Sequence, residues 1–460
     1  MTMRDRWRRA STALALAGAA LAATSCALVD PLNMLGRQSP DAVGVPTTPV
    51  PPPPTAGLTA EQRLRAFDFV WDTIETRYHD PNFNGVDWRA VGERYRPLAL
   101  AAPGDEAFWD VLDRMTGELH DAHTRVESPR RVALRKSDES VTLGFFFQPV
   151  EGQLAVTTVN TESDAYWAGV RPGMTLVAID GEPAWTAYDK LRADVRHDST
   201  DRATHMQALR KLMLGPVGSK VAFTFQRADG SRFDAVLARR KLTVPATEMH
   251  RVLPSGYGYM RFSRWSLRLA AHALGAIDDL KDTPGLIIDL RNNPGGAVHA
   301  VNLLLSRFFT QRTELGRTTT RTGAPVSLFL GAVEIIQLKR VVEGDPGAYR
   351  GPVVVLVNGQ SASGSELFAG SMQAVGRAKI VGQPSCGCLL GFLGYARVPG
   401  GADLAYSEVG FVLSNGKKVE GEGVIPDDPV PLTLADLRAG RDRALEEAQR
   451  LLGTLAASPR

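Results

Sequence analysis

Two turns in the second half of the chain carry residues that could do chemistry. The first reads Asp-Leu-Arg-Asn-Asn-Pro-Gly-Gly over residues 289–296, and its paired glycines allow a sharp turn that exposes backbone N–H groups. Such groups can stabilise an oxyanion. The second reads Asn-Gly-Gln-Ser-Ala-Ser-Gly-Ser-Glu over residues 358–366. A serine on a tight turn before a helix gains exposure and a favourable dipole, but serine-rich turns are more often helix caps, so the turn alone leaves both interpretations open.

Together with other phrases, the two turns resemble the C-terminal processing peptidases, also called tail-specific proteases. The phrases that carry the resemblance lie at residues 256–262, 286–296, 361–370, 376–382 and 421–427. The order of the segments described below also matches, so that the resemblance covers about residues 58–453. It implies an α/β core of the crotonase-like kind and serine peptidase activity on peptide or protein substrates, with no cofactor and no metal.

Carried over position by position, the resemblance implies roles for four residues of the two turns. Ser363, the middle serine of its turn, would be the nucleophile. The oxyanion donors would be the N–H of Gly364 and the N–H of Gly295 or Gly296.

The general base of the best-known branch of this family is missing here. That branch has a Lys where this chain has Cys388, and a helix Asp of that branch is replaced by Ala374. A neutral thiol cannot act as a lysine amine does, and an unassisted thiol pKa of about 8.5 makes its anion a poor choice. Metal binding by Cys386 and Cys388 would need a neighbouring His or Cys cluster, so we expect two inert thiols.

A second branch, similar to the tricorn core peptidase, takes its base from the N-terminal region. The phrase at residues 119–124 resembles the Asp-Gly-His-Thr pattern of that branch and puts His123 forward as general base. Imidazole titrates near neutral pH, so it can take the serine proton and pass it to the leaving amine. The same branch needs a late carboxylate, for which Glu420 is the best match and Glu422 the reserve. Ala122 stands where the tricorn pattern has a serine.

These residues need elements to position them, and the first segment, residues 58–137, is predicted to be helical. Phe67, Val70, Trp71, Ile74 and Tyr78 are spaced as one apolar stripe. A second helix is expected from about residue 106 to residue 119.

The second segment, residues 138–241, has the short alternating runs of a β domain, such as 154–159 and 221–225. Residues 142–145 and 165–181 resemble a PDZ domain, whose carboxylate-binding loop would here be Leu143, Gly144 and Phe145. PDZ domains bind extended chain ends by adding a strand to a sheet edge. The alternative is a small β domain that only spaces its neighbours.

The third segment, residues 242–435, alternates strand and helix signals and is the predicted peptidase core. Its continuous apolar runs at 286–290 and 353–357 suit strands buried on both faces. A closing helix is expected from residue 433 to residue 452, within a C-terminal segment 436–460. The predicted fold class is therefore a multidomain α+β protein.

The start of the chain indicates export. Residues 1–25 combine an Arg-rich start with a short apolar stretch, the pattern of a signal peptide. Small residues before Cys26 resemble a bacterial lipobox, which implies lipidation of Cys26 and anchoring at a membrane surface. Residues 26–57 are Pro-rich and suit an extended tether. Leu28, after Cys26, is not the Asp that keeps many lipoproteins in the inner membrane, so the resemblance favours the outer membrane.

The composition of the chain limits the classes of molecule that the protein is expected to bind. The 460 residues hold 53 basic and 50 acidic side chains, and the small surplus lies in the leader. A neutral body argues against nucleic acid, because phosphate binding needs a clustered basic surplus. We therefore expect a lipid-anchored endopeptidase of the cell envelope, facing the periplasm. The alternative, motivated by the missing Lys, is an inactive surface lipoprotein that acts as a binding or scaffold module.

Overall fold

The computed structural model of the protein describes residues 57–136, 139–213, 215–243, 248–328 and 333–457. The predicted signal peptide, Cys26 and most of the tether lie outside these residues. Within the described ranges no helix has both the length and the apolar composition that crossing a membrane requires.

The N-terminal segment is helical, as its apolar stripe predicts. Its four helices α1–α4 are Ala60–Arg77, Trp88–Leu100, Asp105–Gly117 and Pro129–Lys136, with a 3-10 turn at Phe83–Gly85 and a short strand β1 at Arg125–Glu127. Helix α1 begins after Thr59, whose hydroxyl accepts the N–H of Gln62 in a capping box. Four members of the stripe are buried, and Trp71 is half-buried.

A middle domain built mainly of strands follows. Its strands β2–β9 are Glu139–Thr142, Phe145–Val150, Gln153–Val159, Thr175–Ile179, Glu182–Pro183, Lys220–Gln226, Arg232–Ala238 and Arg240–Thr243. Its helices α5–α7 are Asp164–Trp167, Ala184–Ala193 and Asp201–Met213. The main sheet has the order β3-β4-β5-β7-β8, and its alternating apolar residues pack against α6 and α7.

The third part is an α/β core around a sheet of order β10-β11-β12-β17-β18-β23. The described strands β10–β23 are Glu248–Val252, Gly258–Phe262, Leu286–Asp289, Thr313–Thr320, Val326–Leu328, Val333–Ile336, Lys339–Val342, Val353–Val357, Lys379–Gly382, Leu390–Gly391, Ala396–Arg397, Asp403–Ala405, Val409–Leu413 and Asp428–Pro429. The helices α8–α12 are Leu267–Leu280, Val298–Ser306, Gly364–Ala374, Leu434–Ala439 and Arg443–Ala457.

The central strands of this sheet are parallel and buried on both faces, as their continuous apolar runs predict. Along β17, Val353, Val355 and Val357 face the cluster that contains α8, α9 and α10. Val354 and Leu356 face α12 on the opposite side. The two turns that drew attention in the sequence follow the carboxyl ends of β12 and β17, which are hydrogen-bonded neighbours, so the sheet brings them together.

The C-terminal prediction of one closing helix over residues 433–452 is wrong. Two helices, α11 and α12, occupy this stretch, and Gly440 between them has φ +64°. A left-handed residue ends a helix, and glycine adopts that conformation at little cost.

The N-terminal helices and the core are joined by a small sheet of order β1-β21-β20. The helices also share a hydrophobic cluster with Val398, Ala402, Leu404 and Tyr406 of the core. This junction places the turn that precedes β1 near the carboxyl ends of the central strands of the core sheet.

Candidate active site

Ser363 lies between the buried strand β17 and helix α10. Its backbone has φ +51° and ψ −113°, a conformation that costs a non-glycine residue free energy. Two contacts hold it there, since its N–H donates to the carbonyl of Cys388 (3.1 Å) and to Oε2 of Glu366 (2.9 Å). The side chain is only partly buried, so the sharp turn presents the hydroxyl at the mouth of a helix.

His123 faces this hydroxyl from the turn that precedes β1. Its Nε2 lies 3.2 Å from Ser363 Oγ, although the two residues are 240 positions apart in the sequence. The backbone N–H of His123 donates to Asp121 Oδ1 (2.8 Å), and its carbonyl accepts from Arg125 Nη1 (3.2 Å). We call residues 121–124 the base turn.

Burial sets the protonation state of His123. It lowers the pKa of this imidazole to about 4, with Arg125 and Arg196 acting in the same direction and Asp121 opposing them. The ring is therefore neutral near pH 7, and Nε2 can accept a proton from the serine hydroxyl. Its Nδ1 is buried and has no hydrogen-bond partner among the described residues.

Asp121 is the buried anion most closely tied to this histidine. Its pKa is lowered despite complete burial, with the charge interaction with His123 as the largest favourable cause, and hydrogen bonds from the Thr124 hydroxyl and the His123 N–H act in the same direction. The hydroxyl of Thr124 donates to Asp121 Oδ2 (2.5 Å). An ionised Asp121 can stabilise the imidazolium that forms when His123 takes a proton.

Of the two late carboxylates, Glu420 is partly buried near this network and Glu422 is exposed. Glu420 Oε2 accepts the N–H of Leu389 (2.5 Å), while its Oε1 has no partner among the described residues. Burial, together with the charge of Asp121, raises the pKa of Glu420 well above its usual value. The structure shows no hydrogen bond between Glu420 and His123.

Of the two glycines predicted as alternative oxyanion donors, only Gly296 has an N–H group without an acceptor among the described residues. The N–H of Gly295 is taken by Asn293 Oδ1 (3.0 Å), so Gly295 cannot be a free donor. In the described part of the chain the N–H groups of Gly296 and Gly364 have no acceptor. A side-chain carbon on Gly364 would lie 3.3 Å from Gly296 N, so the two donors are close together beside Ser363.

The expectation of two inert thiols is wrong, because Cys386 and Cys388 are joined by a disulfide with an S–S distance of 1.97 Å. The sulfur at the family's Lys position therefore has no proton to exchange. The disulfide lies in residues 385–389, which we call the nucleophile loop. The Cys386 N–H donates to the carbonyl of Ser361 (2.9 Å), which ties this loop to the serine turn.

Glu366 connects the nucleophile loop to Ser363 through its side-chain carboxylate. Its buried carboxylate accepts hydrogen bonds from the Ser385 hydroxyl (2.5 Å), Gly387 N (2.6 Å) and Cys388 N (2.9 Å), besides that from Ser363 N. Burial raises the pKa of Glu366, and these hydrogen bonds oppose the increase. Glu366 lies inside the serine phrase of the sequence, but nothing local showed that its carboxylate turns inward.

The predicted carboxylate-binding loop lies in the middle domain. Leu143 and Phe145 point their side chains into the core, and Gly144 has φ +85°. The N–H of Gly144 donates to Thr142 Oγ1 (3.0 Å). The following strand, β3, pairs only with β4 among the described strands, which leaves it at a sheet edge.

Two family models match parts of the chain. Residues 256–430 match the family model described as peptidase family S41, and residues 59–117 match the Tricorn protease C1 domain. A carboxyl-terminal-processing protease of Synechocystis sp. is 27% identical over 417 residues, which cover 87% of this chain and 88% of that protein. Tricorn protease homolog 1 of Streptomyces coelicolor is 25% identical over 418 residues, 86% of this chain but 35% of that protein.

Solved structures show the same architecture. The photosystem II D1 C-terminal processing protease has a TM-score of 0.55 at 25% identity, covering 87% of this chain and 99% of that one. Mature CPAF has a TM-score of 0.66 at 18% identity, with 86% of this chain and 98% of the other covered, and supports the fold alone. Residues 256–430 thus match peptidase family S41, and together with the carboxyl-terminal-processing relatives this identifies the chain as a serine peptidase.

Proposed function

We propose that the protein is an endopeptidase of the cell envelope in which Ser363 is the nucleophile and His123 the general base. The observation that carries the proposal is the 3.2 Å contact between His123 Nε2 and Ser363 Oγ, with a neutral imidazole on one side and a partly buried hydroxyl on the other. The relatives named for carboxyl-terminal processing support cleavage of peptide bonds in protein or peptide substrates.

The proposed reaction proceeds through an acyl-enzyme. His123 takes the hydroxyl proton as Ser363 Oγ attacks the carbonyl carbon of the substrate, and the developing oxyanion lies between the N–H groups of Gly296 and Gly364. The imidazolium then protonates the leaving amine, so that the C–N bond breaks. Water, deprotonated by the same imidazole, hydrolyses the ester and regenerates the hydroxyl.

Asp121 and Glu420 have different proposed roles in this cycle. Asp121 supplies the negative charge that stabilises the imidazolium, because it is ionised and His123 is its main favourable partner. Glu420, whose pKa is raised by burial, holds the backbone of the nucleophile loop by accepting the N–H of Leu389.

A fluorophosphonate probe tests the assignment, because it reacts with an activated serine. We expect labelling of the wild type, none of Ser363→Ala, and a rate lower by about 10²-fold or more in His123→Ala. His299→Ala is the matched control, since His299 is exposed on helix α9 and should label like the wild type. Labelling that survives Ser363→Ala would remove the nucleophile. An unlabelled wild type would favour the binding or scaffold module instead.

We also propose that the middle domain is PDZ-like and receives an extended substrate segment. The unpaired side of strand β3 and the glycine loop before it support this proposal. Binding of a peptide with a free C-terminal carboxylate to Ser363→Ala should exceed that of the same peptide amidated. Equal affinities would contradict carboxylate capture.

Anchoring at the envelope through Cys26 is proposed from the sequence alone, with the outer membrane favoured. Metabolic labelling with a palmitate analogue should mark the wild type and not Cys26→Ser. Labelling of both would exclude Cys26 as the lipidated residue.

A further inference from the structure

A short segment of the middle domain contacts both halves of the proposed dyad. Residues 196–202, which we call the bridge segment, run from the end of α6 into the first turn of α7. These two helices pack into the hydrophobic core of the middle domain, and Ala203 of α7 also packs against Cys386 and Cys388 of the nucleophile loop. The bridge segment therefore reaches the active site from another domain.

One end of the bridge segment holds the base turn. The buried guanidinium of Arg196 donates to three backbone carbonyls of that turn, those of Asp121 (3.3 Å), Ala122 (2.8 Å) and Thr124 (2.5 Å). An ion pair with Asp198 (2.6 Å) fixes the guanidinium from behind.

Ser199 makes a further hydrogen bond to the base turn. Its Oγ accepts the N–H of Ala122 at 2.9 Å. Ala122 directly precedes His123, so this contact acts on the peptide that carries the imidazole. Position 122 itself holds an alanine, so the serine hydroxyl next to it comes from Ser199 of the middle domain.

The other end of the bridge segment holds the nucleophile loop. The hydroxyl of Thr200 donates to the carbonyl of Cys386 (2.5 Å). Arg202 donates from Nε to the carbonyl of Ser385 (2.7 Å) and from Nη2 to that of Glu422 (2.6 Å). Because the Cys388 carbonyl of the same loop accepts the N–H of Ser363, these contacts reach the nucleophile through two hydrogen bonds.

We propose that the bridge segment positions the dyad, with Ser199 acting on the base turn and Thr200 and Arg202 acting on the nucleophile loop. This inference rests on the proposed function of Ser363 and His123. The bridge residues touch no reacting atom; they set the separation of Nε2 and Oγ. Such positioning affects rate strongly, since a misplacement of about 1 Å can cost about 10²-fold.

Thr200→Val and Thr200→Ser in the full-length protein form the central test. Valine has the shape of threonine without the hydroxyl, whereas serine keeps the hydroxyl. We expect Thr200→Val to lower the rate of Ser363 acylation and the kcat for a peptide about fivefold, with KM unchanged, and Thr200→Ser to stay near the wild type. Ser199→Ala should behave like Thr200→Val. The double variant should lose less than the product of the two effects, because both contacts constrain one distance.

A control separates positioning from helix stability, because the Thr200 hydroxyl also accepts the N–H of Ala203 at the start of α7. Thr433→Val removes an equivalent cap, that of α11, and should leave acylation unchanged. Wild-type rates per folded molecule in Ser199→Ala and Thr200→Val would overturn the proposal. A wild type that is not labelled at Ser363 would instead overturn the proposed function, so the two failures are distinguishable.

Discussion

At the scale of single residues, burial governs the chemistry of this site. The imidazole of His123 and the carboxylates of Asp121 and Glu420 lie within one poorly solvated region, where charged forms are disfavoured. Hydrogen bonds from the Thr124 hydroxyl and the His123 N–H stabilise the ionised form of Asp121. Burial and the charges of Asp121 and Glu366 raise the pKa of Glu420 well above its usual value, and the hydrogen bond from the Leu389 N–H opposes the increase.

The pH dependence of acylation should report the pKa of His123. Only the neutral imidazole can accept the serine proton, so the rate should be at its plateau near neutral pH and fall as the pH drops through about 4. An unperturbed histidine would give the same fall near 6.5. The measurement is the initial rate of fluorophosphonate labelling on protein shown by circular dichroism to be folded. A midpoint near 6.5 would contradict a desolvated base.

Gly295→Ala should abolish most activity for a steric reason. Gly295 has φ +96°, and a side-chain carbon there would lie 2.7 Å from both Ala362 O and Gly364 N, at the edge of the oxyanion site. We expect acylation to fall by about 10²-fold or more. Gly376→Ala is the matched control, since Gly376 also has a positive φ (+69°) but open space around it. Equal losses in the two variants would show that backbone strain alone is responsible.

At the scale of elements, the active site forms where several turns meet, and no single turn contains all of its residues. The serine turn and the glycine turn follow neighbouring parallel strands, while the base turn precedes a strand of another sheet. The nucleophile loop is hydrogen-bonded to the serine turn twice at Cys388. The Cys388 carbonyl accepts the N–H of Ser363, and the Cys388 N–H donates to the carboxylate of Glu366.

Reduction of the Cys386–Cys388 disulfide should therefore slow the enzyme. A dithiol reductant would convert the disulfide into two thiols and loosen the loop that accepts the Ser363 N–H, so we expect acylation to fall about tenfold. The measurement is the labelling rate before reduction, after reduction and after reoxidation. The double variant Cys386→Ser with Cys388→Ser should not respond to the reductant. A wild type that is equally indifferent would show that the disulfide does not support the site.

At the scale of the whole molecule, His123 lies beside Ser363 because the N-terminal segment is built into the core. Strand β1, directly after the base turn, pairs with β21, and Asp403 at the end of this pairing is completely buried. Arg135 donates to Asp403 Oδ2 (2.5 Å), and Arg397 lies 3.2 Å from Oδ1. The Arg135–Asp403 pair connects the helical segment to the core, and Arg397 adds a second partner for Asp403 from within the core.

Asp403→Asn should test this connection. Removing one partner of a buried ion pair leaves uncompensated charge, so we expect a loss of about 3 kcal/mol in the free energy of unfolding, with slower acylation in the molecules that remain folded. Chemical denaturation and labelling measure the two effects. Glu447→Gln breaks a surface pair with Arg450 and should cost less than about 1 kcal/mol. A similarly small effect at Asp403 would mean that β1 is held by other contacts.

The sequence by itself determined the local features of this protein. Apolar periodicity predicted α1 and the buried strands β12 and β17, because a side chain's burial follows its position on a helix or strand. The serine and glycine turns were recognisable because their backbones need particular residues. The family resemblance put His123 and Ser363 forward together, as a prediction for the structure to place.

Only the tertiary structure decided how these parts meet. In the structure, His123 Nε2 lies beside Ser363 Oγ, and the Gly295 N–H donates to Asn293. A disulfide joins Cys386 to Cys388, and the bridge segment contacts both the base turn and the nucleophile loop. Each of these contacts depends on directions and distances between segments far apart in the chain. Such relations are set by the packing of the β1–β21 junction and the middle domain, and no local pattern of residues encodes them.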